Sequence, residues 1–285
     1  MADEITNPAG GEGLPVTWVR PRQGVFSLEL GELWAYRDLL YFLTWRDVKV
    51  RYTQAALGVA WAVIQPVISM VIFSVIFGRL AGLPSGGVPY PVYAYTALLP
   101  WGLFAGALAR AGSSLVADAP LLTKVYFPRL IIPLSAVTAG LVDFGAAFPL
   151  LLGMMAWYGL PLTWNALWLP LLVLFALLTA FAVGLWLAAL NVQYRDVQYA
   201  IPFLIQAWLY ASPVAYSADL VPEGIWTWIY GLNPMAGVIQ GFRWALLGTP
   251  PPQGLMAASA LMVVVLLAGG LWYFRRMEDS FADVV

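Results

Sequence analysis

AALGVAWAVIQPVISMVIFSVIFG (residues 55–78) carries no charge between Arg51 and Arg79, and its length decides the fold class. About 20 apolar residues in a helix cross the ~30 Å hydrocarbon core of a bilayer, so this stretch reads as a membrane span. On either side of it, runs with few or no charges predict further spans over 92–111, 130–157, 166–190, 197–213 and 254–274. LPSGGVPYP (83–91) and GLPLTWN (159–165) have the composition of turns between them. Segment 214–250 is apolar and aromatic, yet Asp219, Pro222, Glu223, Asn233-Pro234 and Arg243 interrupt it. It is expected to be a re-entrant helical hairpin between the fifth and sixth helices, which a membrane tolerates only where the turn backbone is buried in protein or reaches water. The expected fold is thus an all-α polytopic membrane protein with six transmembrane helices over 55–274. A polar tail (1–27) and an amphipathic interface helix (28–54) precede them, and a short tail (275–285) follows.

The composition agrees. Of 285 residues, 61% are hydrophobic and only 10% charged, against about 25% charged in an ordinary soluble domain. Little chain is left for a sizeable soluble domain. The chain has no His and no Cys, which removes the commonest general base, the thiol nucleophile, haem and iron–sulfur ligation and nearly every zinc site. A net charge of -1 gives no reason to expect a nucleic-acid partner.

With six crossings, twelve of the 14 Lys and Arg residues fall on one side, leaving Arg79 and Arg243 on the other. The positive-inside rule then places both termini in the cytoplasm. Residues 1–27 lack an apolar core of about 7–15 residues, so no cleaved signal peptide is expected.

Several residues outside this scaffold are candidates for function. Residues 28–54 set Leu30, Leu33, Trp34, Leu40 and Tyr41 against Glu29, Glu32, Arg37 and Asp38 at helical spacing, the pattern of a helix lying in the interface plane. Loop 113–129 carries Leu115, Val116, Leu121, Leu122 and Val125, too apolar for a solvated connector; it docks either a partner or its own helices. Tyr199, Phe203, Gln206 and Tyr210 recur at i, i+4, i+7 and i+11 on the fifth span, while Trp61, Gln65, Ser69 and Phe73 repeat every fourth residue on the first. Flat rings stack on the apolar faces of sugars, and amides and phenols bond hydroxyl groups, so these two stripes are candidate tunnel walls; interface belts and interhelical bonds use the same residue types. Asp143 is the one acid inside a span, which requires a partner, water or a proton. Gly102 and Gly106 form a GxxxG pattern, read as close helix packing. Asn233, Pro234 and Arg243 are candidates for an outer gate, with Arg243 either meeting anionic cargo or pairing with Glu223 or lipid.

The strings WRDVKVRYTQAALGVAWAVIQP (45–66), LLPWGLFAGAL (98–108), LLTKVYFPRLIIPLS (121–135), YRDVQYAIPFLIQAWLYASPVAY (194–216), LNPMAGVIQGFRWALLG (232–248) and RRMEDSFADVV (275–285) resemble the membrane subunit of bacterial ABC exporters for lipid-linked polysaccharides, the O-antigen, teichoic acid and capsule permeases. That resemblance implies the type-2 exporter permease fold in the bacterial cytoplasmic membrane, and a cargo of glycan carried on a polyprenyl diphosphate-type lipid. It implies a homodimer with two copies of a separate ATPase, which would hold the ATP and Mg, leaving this chain without a cofactor. Loop 113–129 would then be the coupling helix, with Leu121 and Leu122 seated on the ATPase and Lys124 and Arg129 at its rim. Arg46, Lys49 and Arg51, and Arg195 with Asp196, would lie close by. The residues agree with an external energy source, because a P-loop needs Gly before its Lys and the only lysines, Lys49 and Lys124, follow Val48 and Thr123. A membrane glycosyltransferase or polymerase would need a carboxylate cluster, and no Asp-x-Asp occurs. A permease of the same fold for a drug or a small lipid remains the nearer alternative.

Overall fold

The computed structural model describes residues 30–53, 58–217, 224–278 and 281. The expectations for the polar tail, the junction 54–57, Asp219, Pro222, Glu223 and most of the C-terminal tail lie outside these residues. Every regular element among the described residues is helical, in the order α1 (Leu30–Ala35), α2 (Arg37–Thr53), α3 (Ala60–Phe73), α4 (Tyr90–Ala117), α5 (Ala119–Lys124), α6 (Ile131–Thr138), α7 (Gly140–Trp157), α8 (Leu169–Gln193), α9 (Val197–Ala211), α10 (Ile225–Gly231), α11 (Pro234–Leu247) and α12 (Gln253–Met277). A π-helical stretch, Ser74–Leu80, extends α3. A 3₁₀ turn, Trp164–Trp168, leads into α8.

Among the described residues, five stretches are long and apolar enough to cross a membrane: Ala60–Leu80, Tyr90–Ala117, Ile131–Trp157, Trp164–Gln193 and Gln253–Met277. The segment expected as the fifth crossing is α9, whose 15 residues span roughly 22 Å at 1.5 Å per residue, short of the hydrocarbon core. Helix ends follow local chemistry. α4, α8 and α11 each carry Pro in the first turn, where the missing N–H costs nothing. Gly248, at φ 69°, takes the left-handed turn that closes α11.

α4 is the centre of the molecule. It is buried along most of its length and packs against α3, α6, α7, α8, α9 and α11, whereas no residue of Ala60–Leu80 is buried. It approaches α8 closely, so that a Cβ on Gly184 would stand 2.7 Å from the Ala111 side chain. The GxxxG pair does something else. A side chain on Gly102 would meet nothing within 4 Å, and one on Gly106 would meet only Arg110 of its own helix. Close helix packing falls instead to glycines such as Gly112, Gly184 and Gly241, whereas Gly102 faces open space and Gly106 faces the Arg110 side chain.

A second core forms where α2 crosses the bundle. Leu43 of α2 joins Leu115, Leu122, Phe127, Ile131, Leu185, Val192, Phe274 and Phe281. The amphipathic reading of 28–54 is redrawn here: Tyr36 interrupts the helix, the inward row runs through Leu33, Leu40 and Leu43, and Trp34 and Tyr41 are exposed, 71% and 73%, beside Phe42 and Trp45. The α2 helix has an apolar face toward the protein and an aromatic face away from it.

Candidate functional site

The four-residue stripe on α3 lines one wall of a cavity of about 520 Å³. Trp61, Gln65, Ser69 and Phe73 all border it. The opposite walls come from Trp101, Gly102 and Gly106 of α4, Phe144 and Ala147 of α7, and Ile205, Gln206 and Leu209 of α9. Because Gly102 and Gly106 project no side chain, α4 can be the densest helix in the core and still leave room along this face.

The α9 stripe divides. Gln206 borders the cavity and donates to the Tyr210 hydroxyl at 3.2 Å. Tyr199, Phe203 and Tyr210 are 75%, 77% and 62% exposed on the outside of the helical bundle. α9 is held to the bundle by Ile201, Ile205 and Leu209, which occupy the other side of the same helix.

One end of the cavity is charged. Arg51 and the Tyr52 hydroxyl, from the last turn of α2, both donate to the Asp143 carboxylate of α7, one to each oxygen. Arg110 of α4 places Nη1 3.6 Å from the same carboxylate and donates Nε to the Ala136 carbonyl at 3.1 Å. Asp143 therefore has partners for its charge. Burial, together with the hydrogen bond to the neighbouring carboxylate, pushes the Tyr52 phenol up from its ordinary range, so at neutral pH it is a donor. Tyr52, Trp101, Phe144 and the inward role of Arg110 were not expected from sequence. A signal did exist for the last: Arg110 is solitary in an uncharged run, about 10 Å inside the end of α4, and Asp143 is solitary in the next.

The basic residues expected at a coupling surface separate likewise. Arg46 donates to Asp47 at 2.8 Å and to Asp118, at the start of α5, at 2.7 Å. Burial opposes that charge, but the two carboxylates outweigh it and raise the guanidinium's pKa above its usual value. Lys49, Lys124, Arg195 and Asp196 are exposed, while Arg129 is half-buried. Leu122 is covered by the chain itself, at 6% exposure, with Leu121 packed beside it. What loop 113–129 presents outward is Val116, Val125 and Tyr126.

The segment expected as a gate forms the α10–α11 pair, packed against α12, with α11 also against α4 and α8. Asn233 accepts from the Met235 N–H at 3.1 Å and from the Trp208 indole at 2.8 Å, and donates to the Ala211 carbonyl and the Ser212 hydroxyl. Pro234 opens α11 and is buried. Ser259 of α12 accepts from the Gly237 N–H and lies within bonding distance of the Gly231 and Asn233 carbonyls. Arg243 is fully buried, its guanidinium 3.7 Å from the Tyr93 ring centre and donating to the Val214 and Tyr216 carbonyls. It braces the connection after α9; its expected partner Glu223 lies outside the described residues.

Comparison with known proteins adds a family. The profile of the ABC-2 type transporter family matches residues 38–247. The O-antigen export system permease protein RfbA of Myxococcus xanthus is 32% identical over 74% of this chain and 81% of its own length. A protein of the same name from Klebsiella pneumoniae is 28% identical over 87% of this chain and 95% of its own. The polysialic acid transport protein KpsM of Escherichia coli is 22% identical over 71% of this chain.

Proposed function

Because this chain belongs to the ABC-2 type transporter family, we propose that it is the permease subunit of an exporter that carries a lipid-linked polysaccharide across the bacterial cytoplasmic membrane. The observation that carries this reading is the 32% identity, across most of both chains, to a protein named as an O-antigen export permease. The cavity supports it. An aromatic and amide wall suits a succession of sugar rings, because stacking and hydroxyl bonding do not demand one sugar order.

Two copies pair with two copies of a separate ATPase. α9 is the fifth crossing, completed by the residues that follow it, and the α10–α11 pair is the re-entrant hairpin, its turn backbone satisfied by Asn233 and Ser259 as a membrane requires. Both termini are cytoplasmic. α2 lies in the interface with Tyr41, Phe42 and Trp45 toward the headgroups. The ATPase meets Val125, Tyr126 and Lys124. Because Arg46 ties α2 to the start of α5 while Arg51 reaches Asp143, movement of the docked loop would reach the cavity through one helix.

Deletion of the gene in its native host is the test. Lipid-linked glycan should accumulate on the inner leaflet while surface polysaccharide disappears, and the wild-type gene should restore it. Unchanged surface polysaccharide in the deletion strain would mean a different cargo, such as a drug or small lipid.

A further inference from the structure

Among the described residues, three charged side chains line the cavity: Arg51, Arg110 and Asp143. Two cations share one anion. Both oxygens of Asp143 are already engaged, by Arg51 and by Tyr52, and Arg110 stands at 3.6 Å, outside hydrogen-bond length. A guanidinium has five N–H donors. Arg51 directs one at Asp143 and Arg110 directs one at the Ala136 carbonyl, while the two side chains keep 28% and 24% of their surface open. Asp47 and Asp118 both bind Arg46, and neither lines the cavity. Surplus positive charge in a low-dielectric wall is costly until an anion meets it.

The surroundings say what kind of anion. Arg51 sits on the last turn of α2, just before the span that begins at Ala60, which is the depth of lipid headgroups. Beyond it the cavity turns apolar and aromatic, with Trp61 and Trp101 on facing walls. Guanidinium forks match phosphate oxygens two at a time. We propose that Arg51 and Arg110 form a subsite for the phosphate headgroup of an amphiphilic lipid, with Asp143 as a tethered counter-ion that the phosphate displaces on entry. Displacement does not strand the carboxylate, since it keeps the Tyr52 hydrogen bond. The identity of the lipid as the export cargo rests on the proposed function; the anion chemistry rests on the guanidiniums.

The test uses the full-length chain in phosphatidylcholine nanodiscs, without the ATPase, which binds phosphates itself. Farnesyl diphosphate, farnesyl monophosphate, farnesol and inorganic pyrophosphate are titrated separately. Farnesyl diphosphate should bind and farnesol should not. Arg51→Gln and Arg110→Gln should each weaken binding about tenfold, and Asp143→Asn should tighten it about tenfold by removing the internal competitor. Pyrophosphate binding as tightly as farnesyl diphosphate would overturn assignment to a lipid headgroup. Binding that Asp143→Asn leaves unchanged or weakens would overturn the subsite altogether, making the trio a staple between α2, α4 and α7; this arm decides even if the arginine variants fail to fold. The outcomes separate from those of the gene deletion. Tightening by Asp143→Asn in a protein whose loss leaves surface polysaccharide intact keeps the subsite and changes the cargo, while no tightening in a protein that polysaccharide export requires removes the subsite and keeps the export reading.

Discussion

Ser259 shows how much rests on one hydroxyl. It accepts from Gly237 N–H and stands within reach of two carbonyls at the α10–α11 turn, backbone groups that no water relieves if the turn lies in the membrane. Ser259→Ala removes all of these contacts at once, and a buried group left unpaired costs about 1–3 kcal/mol. The purified variant should melt several degrees lower in detergent, while Ser259→Thr should keep most of the stability. Arg243 belongs to the same residue-level lesson. Its sequence context suggested a cation near an exit, and nothing local hinted that Tyr93, far away in the chain, would take its charge. Asp143 was easier to read: an isolated acid in a span demands a partner, and the sequence held a solitary Arg in the preceding span.

At the level of elements, five of the uncharged runs overlap long apolar helices, with ends that differ by up to six residues. Breaks were less visible. Tyr36 has no Pro or Gly beside it, so that bend comes from packing between elements rather than from local preference, whereas the junction between α6 and α7 at Ala139 adjoins Gly140. The face of loop 113–129 was also ambiguous, because an apolar residue covered by a partner and one covered by its own fold look identical in sequence. With Leu122 in the core and Val125 and Tyr126 outside, two experiments separate the roles. Leu122→Ala should cost stability, about 2–5 kcal/mol for a buried Leu. Val125→Asp with Tyr126→Asp should leave the melting temperature of the permease within error but reduce recovery of the ATPase in co-purification and abolish coupled ATP hydrolysis. Intact recovery of the ATPase would move the docking surface elsewhere.

In the whole molecule, the cavity is assembled from α2, α3, α4, α7 and α9, and no single element announced it. The α3 stripe is visible from its period; the α9 stripe is visible too, but three of its four members lie on the outside of the bundle, since a helix period identifies a face and not the neighbour it meets. The exposed flanks of α3 (Ile68, Val71 and Ile72) and of α9 (Tyr199, Phe203 and Tyr210) leave one apolar side of the bundle uncovered. The bare wall of the cavity has a practical consequence. Gly102 is a calibrated opening: its Cβ direction is free for 4 Å, so side chains of increasing size can be added there without disturbing the helix contacts of α4. Gly102→Ala should be silent in export and slightly favourable to the helix, by up to about 1 kcal/mol; Gly102→Leu should narrow the passage; Gly102→Trp should stop surface polysaccharide while the melting temperature holds. The size at which export fails would gauge the girth of the moving polymer, and a Trp that changes nothing would show that the cargo travels by another route.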